Sequence, residues 1–227
     1  KRLSKRHAAT SLNAYKEMGF TKETIINALA LLGWSTENEI FSIDELIESF
    51  KLENVQKAAA VFDLKRFNWV SSQQLAKLGE ESFFEVIKPF MEDEDINEDF
   101  PNYEKILLAM RTSKTNLKDI AHATRPFFFE LEGYDEKGVK KFLNDSHETL
   151  IFALEVLSKL TEWNEVELDM ALIKVRDYFN LPIPKVNQPM RIALVGSTVS
   201  PSLGLTLELF GKEKSLERIQ KAIDFIS

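Results

Sequence analysis

The chain has 227 residues, of which 44% are hydrophobic and 29% are charged, a balance typical of a globular protein. It contains no Cys and three His, which excludes disulfides, thiol catalysis and cysteine-bound zinc and argues against a histidine-rich metal site. The formal net charge of −7 is unevenly spread, because residues 81–170 carry 10 basic and 21 acidic side chains while both flanking segments are slightly basic. A nucleic acid could therefore be bound only by local basic patches.

Composition and cap residues predict an all-α fold. Only 8 Gly and 7 Pro interrupt the chain, so hairpin turns are scarce. Thr21, Ser42 and Asp63 are suited to begin helices, and Glu45 follows Ser42 by three residues, as in a capping box. No apolar run approaches the roughly 20 residues that span a bilayer, and we expect a cytoplasmic protein without membrane contact.

The spacing of apolar residues predicts the buried face of each helix. In the helix after Thr21, the face should consist of Ile25, Ile26, Leu29 and Leu32. In the helix after Asp63, it should consist of Leu64, Phe67, Val70 and Leu75. Aromatic side chains that might stack on bases are more typical of a protein core, namely Phe67, Trp69 and residues 127–129.

Two polar stretches in the second half predict connections between helices. The acidic run MEDEDINEDF (91–100) should be a solvated linker. The stretch NLPIPKVNQP (180–189) should be a proline-punctuated link, with Pro189 in the first turn of the helix that follows.

The chain opens with KRLSKR, in which four of six residues are cationic. A loop of ammonium and guanidinium groups can stabilise the charge that develops on a leaving pyrophosphate. Read alone, the run is more typical of a solvated tail. The sequence also has no Gly-rich phosphate loop, which excludes a P-loop enzyme.

The segments after this basic run resemble the bacterial glutamyl-tRNA synthetase family. The similarity is carried, in order and spacing, by RLSKRHAATS, AYKEMGF, INALALLGWS, EIFSIDELIESF and VQKAAAVFDLKRFNWV. It continues through QPMRIALVGSTVSP and LELFGKEKSLERI and is weak only from about residue 91 to 163. The match begins at the family's K-M-S-K-S signature, so the family's preceding catalytic domain, with its H-I-G-H motif and glutamate pocket, is not part of this chain.

The resemblance implies that the basic run faces ATP. Lys5 would stabilise the transition state of adenylate formation, and Arg2, Ser4 and Arg6 would contact ATP beside it. Ala8 departs from the glycine that is usual in the family. ATP and Mg²⁺ are implied for the full enzyme, with no metal or cofactor held by this chain alone.

The resemblance also implies contacts with the tRNA anticodon. Arg191, Ser200 and Pro201 match positions that contact anticodon bases in the family. Ser113 stands where relatives that reject tRNA(Gln) often carry an Arg, and Arg111 and Lys114 flank it. The implied partner is tRNA(Glu), and the loss of that Arg leaves tRNA(Gln) open as a second partner.

We expect a helical stem-contact domain over residues 1–79 and two α-helical anticodon-binding domains, forming a helical cage, over 80–132 and 133–227. The resemblance implies a monomer that, with its catalytic domain, joins glutamate to tRNA(Glu) and that is inactive as this chain alone. Two alternatives stay open at this point. One is a stand-alone helical tRNA-binding module, and the other is a helical protein-interaction scaffold that binds through its acidic middle.

Overall fold

The computed structural model describes residues 11–34, 38–55 and 62–227. Apart from one antiparallel bridge between Trp34 and Val55, the regular structure of these residues is helical, which confirms the predicted all-α class. The first seven helices are α1 Leu12–Glu17, α2 Lys22–Gly33, α3 Ile43–Ser49, α4 Leu64–Lys77, α5 Glu80–Glu92, α6 Tyr103–Met110 and α7 Leu117–Phe128. The other six are α8 Glu136–Gly138, which continues as a π-helical turn Val139–Leu143, α9 His147–Ser158, α10 Glu165–Phe179, α11 Ile183–Val195, α12 Leu203–Phe210 and α13 Lys212–Ile226.

The chain folds into two compact units. The first comprises the residues up to Asp99 together with Leu107–Ala123, and the second comprises Phe100–Ile106 together with Thr124–Ser227. The division into domains at 79 and 132 stays a prediction.

In the first unit, helix caps form where the sequence predicts them. The side chains of Thr21 and Asp63 accept hydrogen bonds from backbone N–H groups in the first turns of α2 and α4. Ser42 and Glu45 form the full capping box at the start of α3. These caps satisfy N–H groups that a helix cannot pair internally, so local sequence is sufficient to fix the helix starts.

The buried face of α2 differs from the predicted one. Thr24, Asn27 and Ala28 are buried, whereas Ile26 and Leu29 are 37% and 43% exposed. Asn27 donates to the Glu39 carbonyl oxygen over 2.9 Å and accepts from Gln74 Nε2 over 2.7 Å. Ile25 packs against the buried cluster as predicted, so the prediction was wrong for Ile26 and Leu29. Asn27 can be buried because its polar groups find partners far away in sequence, which offsets the cost of burying them.

Helix α4 follows its predicted pattern except at its first residue. Phe67, Val70 and Leu75 are buried as predicted, and Phe67 packs edge-on against Phe20 with 4.7 Å between ring centroids. Leu64 is 58% exposed, because it lies in the first turn, before the helix reaches the core. Among the aromatic residues predicted to be core, Phe127 is buried, but Trp69 is 43% exposed.

Both predicted connections in the second half are partly helical. Helix α5 runs to Glu92, and Met91 and Ile96 of the acidic run are buried, so only the rest of that run is a solvated turn. Helix α11 begins at Ile183, so the predicted link forms its first turns and Pro189 lies inside the helix. Pro184 explains the early start, since a proline in the first turn lacks an N–H that would have no partner there.

Helix α11 is the central element of the second unit. Its last turns are buried on nearly all sides, through Met190 and residues 192–195. Arg218 on α13 fixes this end of the helix, because its guanidinium donates to the carbonyl oxygen of Leu194 and, over 2.7 Å, to that of Phe129 after α7. Arg218 is 1% exposed and lies over the Phe210 ring, 4.5 Å from its centroid. One buried guanidinium therefore joins three helices.

Candidate nucleic-acid interface

Arg191 lies near the end of α11, and its guanidinium reaches the loop that follows the helix. Its Nε donates a hydrogen bond to Ser200 Oγ over 2.8 Å. A terminal nitrogen donates to the Pro201 carbonyl oxygen over 3.1 Å. The structure thus brings together the three residues that the sequence comparison with the synthetase family singled out as a group.

The loop between α11 and α12 is held at both ends. Gly196 ends α11 with a φ of 72°, and its carbonyl oxygen accepts from the backbone N–H of Asp135 over 2.7 Å. Ser202 caps α12 and donates to Glu165 Oε1 over 2.5 Å. Between these ends, Ser200 Oγ lies 3.0 Å from Thr206 Oγ1. The loop therefore presents Ser200 in a fixed position, which lowers the ordering cost of binding.

The charge of Arg191 has no carboxylate partner among the described residues. Its side chain is half-buried, and this burial lowers the pKa of the guanidinium. Arg176, on the neighbouring helix α10, instead pairs with Asp177 at 2.8 Å. Arg191 contacts a hydroxyl and a carbonyl oxygen in the protein. It therefore retains N–H donors and its charge for an external acceptor, such as a base edge or a phosphate.

Gln188 is a further candidate that sequence analysis did not single out. Its Oε1 is buried and has no hydrogen-bond partner within the described residues. It lies three residues before Arg191 on α11, so the two side chains are neighbours on one helical face. A buried acceptor without a protein partner, three residues from Arg191, makes Gln188 a candidate for the same site. The i, i+3 spacing within QPMR was the signal for it.

The second group of predicted residues lies in the first unit, and there Arg111 has a structural role. Its Nε donates to the Leu75 carbonyl oxygen over 2.6 Å, and its terminal nitrogen donates to the carbonyls of Ala76 and Leu78 at the end of α4. Ser113 Oγ is buried without a hydrogen-bond partner among the described residues. Lys114 is partly buried. The arrangement leaves Arg111 few donors for a ligand.

Arg2, Ser4, Lys5 and Arg6, the predicted ATP contacts, lie outside the described residues. Over the part of the chain that is described, no group of three or more His, Asp or Glu side chains is placed to hold a metal ion. No helix in that part is long and apolar enough to cross a membrane.

Residues 74–223 match the family "Anticodon binding domain", and residues 1–69 match "tRNA synthetases class I (E and Q), catalytic domain". The chain therefore belongs to the anticodon-binding domain family. The two matches together assign it to the class I tRNA synthetases.

Two relatives of the chain are glutamate–tRNA ligases. The chain is 34% identical to the glutamate–tRNA ligase of Thermodesulfovibrio yellowstonii over 98% of its length, covering 50% of that protein. It is 36% identical to glutamate–tRNA ligase 1 of Syntrophus aciditrophicus over 99% of its length, covering 48% of that protein. The chain thus spans about half the length of the curated relatives it matches, and it corresponds to their C-terminal portion.

Solved structures agree with this assignment. A glutamate tRNA ligase from Elizabethkingia meningosepticum, in complex with its amino acid, superposes with a TM-score of 0.76 at 30% identity, over 94% of this chain and 43% of that one. The glutamate–tRNA synthetase of Elizabethkingia anophelis superposes with a TM-score of 0.71 at 31% identity.

Proposed function

We propose that this chain is the tRNA-recognition part of a glutamate–tRNA ligase, and that Arg191, Ser200 and Pro201 form its anticodon-base pocket. The observation that carries the proposal is the half-buried guanidinium of Arg191, which is oriented by the loop but has no carboxylate partner among the described residues. A splayed anticodon base offers hydrogen-bond acceptors for the guanidinium N–H groups that Ser200 and Pro201 do not use. Gln188 adds an acceptor beside it.

The full enzyme would consume ATP, glutamate and tRNA(Glu) and release glutamyl-tRNA, AMP and pyrophosphate. In the first step, the glutamate carboxylate attacks the α-phosphorus of ATP and pyrophosphate leaves. The ammonium of Lys5 would stabilise the charge that develops on this leaving group, and Arg2, Ser4 and Arg6 would bind the phosphates beside it. Mg²⁺ would accompany ATP. The full enzyme would be a cytoplasmic monomer.

The proposal extends to tRNA(Gln) as a second partner. The family resemblance associates rejection of that tRNA with an Arg at the position of Ser113. Neighbouring Arg111 cannot replace it, because its guanidinium donates to carbonyl oxygens at the end of α4. We therefore expect similar Kd values for tRNA(Glu) and tRNA(Gln) in a filter-binding assay. A Kd for tRNA(Gln) more than about tenfold higher would contradict this extension.

Arg191→Ala tests the anticodon pocket. The change removes the guanidinium donors, so the Kd for tRNA(Glu) should rise about tenfold or more, because a base contact of this kind contributes about 1–3 kcal/mol. The Kd for the same tRNA with replaced anticodon bases should hardly change. Arg176→Ala is the matched control, since Arg176 is an arginine of the same unit whose charge is already paired with Asp177. An equal loss for both tRNAs would make Arg191 a phosphate contact and refute base reading.

A further inference from the structure

Three exposed lysines lie on the segment that packs against α11 and the loop after it. Lys137, Lys140 and Lys141 occupy α8 and the π-helical turn that continues it, and all three are exposed. No carboxylate in the described residues forms an ion pair with any of them, although Asp135 and Glu136 precede them in sequence. The Nζ of Lys141 lies 5.0 Å from the centroid of the Phe142 ring. The lysine cluster is thus a local basic patch in the most acidic segment of the chain.

The backbone of the lysine cluster packs directly against the Arg191 site. Gly138 lies between Lys137 and Lys140, and it approaches α11 so closely that an added Cβ would be 3.1 Å from Ile192 Cδ1 and 3.3 Å from Thr198 Cγ2. Ile192 follows Arg191 on α11, and Thr198 belongs to the loop that carries Ser200. An added Cβ would force a neighbour to shift, so the segment that carries the lysines is closely packed against α11 and the loop that carries Ser200.

The π-helical turn sets the direction of the lysines. The backbone N–H of Asn144 donates to the Val139 carbonyl oxygen over 3.1 Å, a five-residue spacing that widens the helix. Leu143 and Gly138 are buried in this segment, whereas Lys140 and Lys141 are turned outward. π-helical turns are rare and are frequently found at functional sites.

We propose that Lys137, Lys140 and Lys141 bind the sugar-phosphate backbone of the RNA whose bases Arg191 reads. The inference rests on the proposed function, because it requires an RNA at Arg191. Lysine presents a compact charge that suits phosphate oxygens and carries no base specificity. The surface therefore separates two tasks, with base reading on the Arg191 loop and RNA positioning on the lysine cluster.

The test is the salt dependence of tRNA binding by the 227-residue chain with Lys137, Lys140 and Lys141 all changed to Gln. Each lost phosphate contact should reduce the slope of log K against log salt by about 0.7–0.9, so the slope should fall by about 2. The Kd should rise by the same factor for tRNA(Glu) and for the tRNA with replaced anticodon bases, which leaves their ratio unchanged. Lys159→Gln is the matched control, since Lys159 is exposed but pairs with Glu155 at 2.5 Å.

The outcomes distinguish this inference from the function on which it rests. An unchanged slope in the triple variant, with anticodon discrimination intact, would overturn the inference and keep the proposed function. The lysines would then be assigned to binding an acidic protein partner. A lack of any tRNA binding by the unsubstituted chain would refute both. A reduced slope together with a lost anticodon preference would make the lysines part of base reading, which also overturns the separation of tasks.

Discussion

Arg218→Met should lower the free energy of unfolding by about 2–5 kcal/mol, because it removes the donor of two backbone carbonyl oxygens. The change keeps most of the side-chain volume but leaves the carbonyl oxygens of Leu194 and Phe129 without their donor. Buried unpaired carbonyls cost about 1–3 kcal/mol each.

Urea and thermal unfolding followed by circular dichroism would measure this loss, with a decrease in Tm of about 10 °C expected. Arg176→Met is the control, because Arg176 pairs with a neighbouring exposed carboxylate and surface pairs of this kind contribute at most about 1 kcal/mol. A Tm decrease no larger than that of the control would show that Arg218 does not hold α7 and α11 together.

Gly196→Ala should destabilise the second unit by about 2–4 kcal/mol and weaken tRNA binding as well. The φ of 72° alone costs an L-residue about 1–2 kcal/mol. The new methyl group would also lie 2.7 Å from the Gly133 carbonyl oxygen, a backbone atom that can move only with its chain, and such overpacking adds about 1–3 kcal/mol. Because Gly196 starts the loop that carries Ser200, any shift there displaces the acceptor that orients Arg191.

Gly133→Ala is the matched control for this prediction. Gly133 supplies the carbonyl oxygen that a methyl group at Gly196 would meet, but a methyl group at Gly133 itself would point into open space. Its effect on the free energy of unfolding should stay within about 0.5 kcal/mol. The measurement combines the urea midpoint with the Kd for tRNA(Glu). Equal stability of the two variants would show that the chain at Gly196 relaxes freely, and the loop would then not be preorganised.

The sequence predicts local features of this fold well because they depend on neighbouring residues. The caps at Thr21, Ser42 and Asp63 need only a few residues of context, and all three form. The group of Arg191, Ser200 and Pro201 was found through family resemblance, and the structure adds the hydrogen bonds that join its members.

The remaining features depend on partners distant in sequence. The buried hydrogen bond of Asn27 depends on Gln74, which lies 47 positions later in the sequence. The guanidinium of Arg218 donates to Phe129, which lies 89 positions away and is brought to it only by the fold. Pro189 reads as a helix start, yet the tertiary core around α11 holds it inside the helix.

The central claim is that this chain reads anticodon bases, and the affinity of the unsubstituted chain for two RNAs tests it most directly. These are tRNA(Glu) and the same tRNA with its anticodon bases replaced. Both Kd values are measured at one salt concentration, because the two RNAs share the same phosphate contacts and these depend on salt. We predict a Kd about tenfold or more lower for tRNA(Glu). Equal Kd values would contradict the claim and would make the surface around Arg191 a binder of RNA backbone alone.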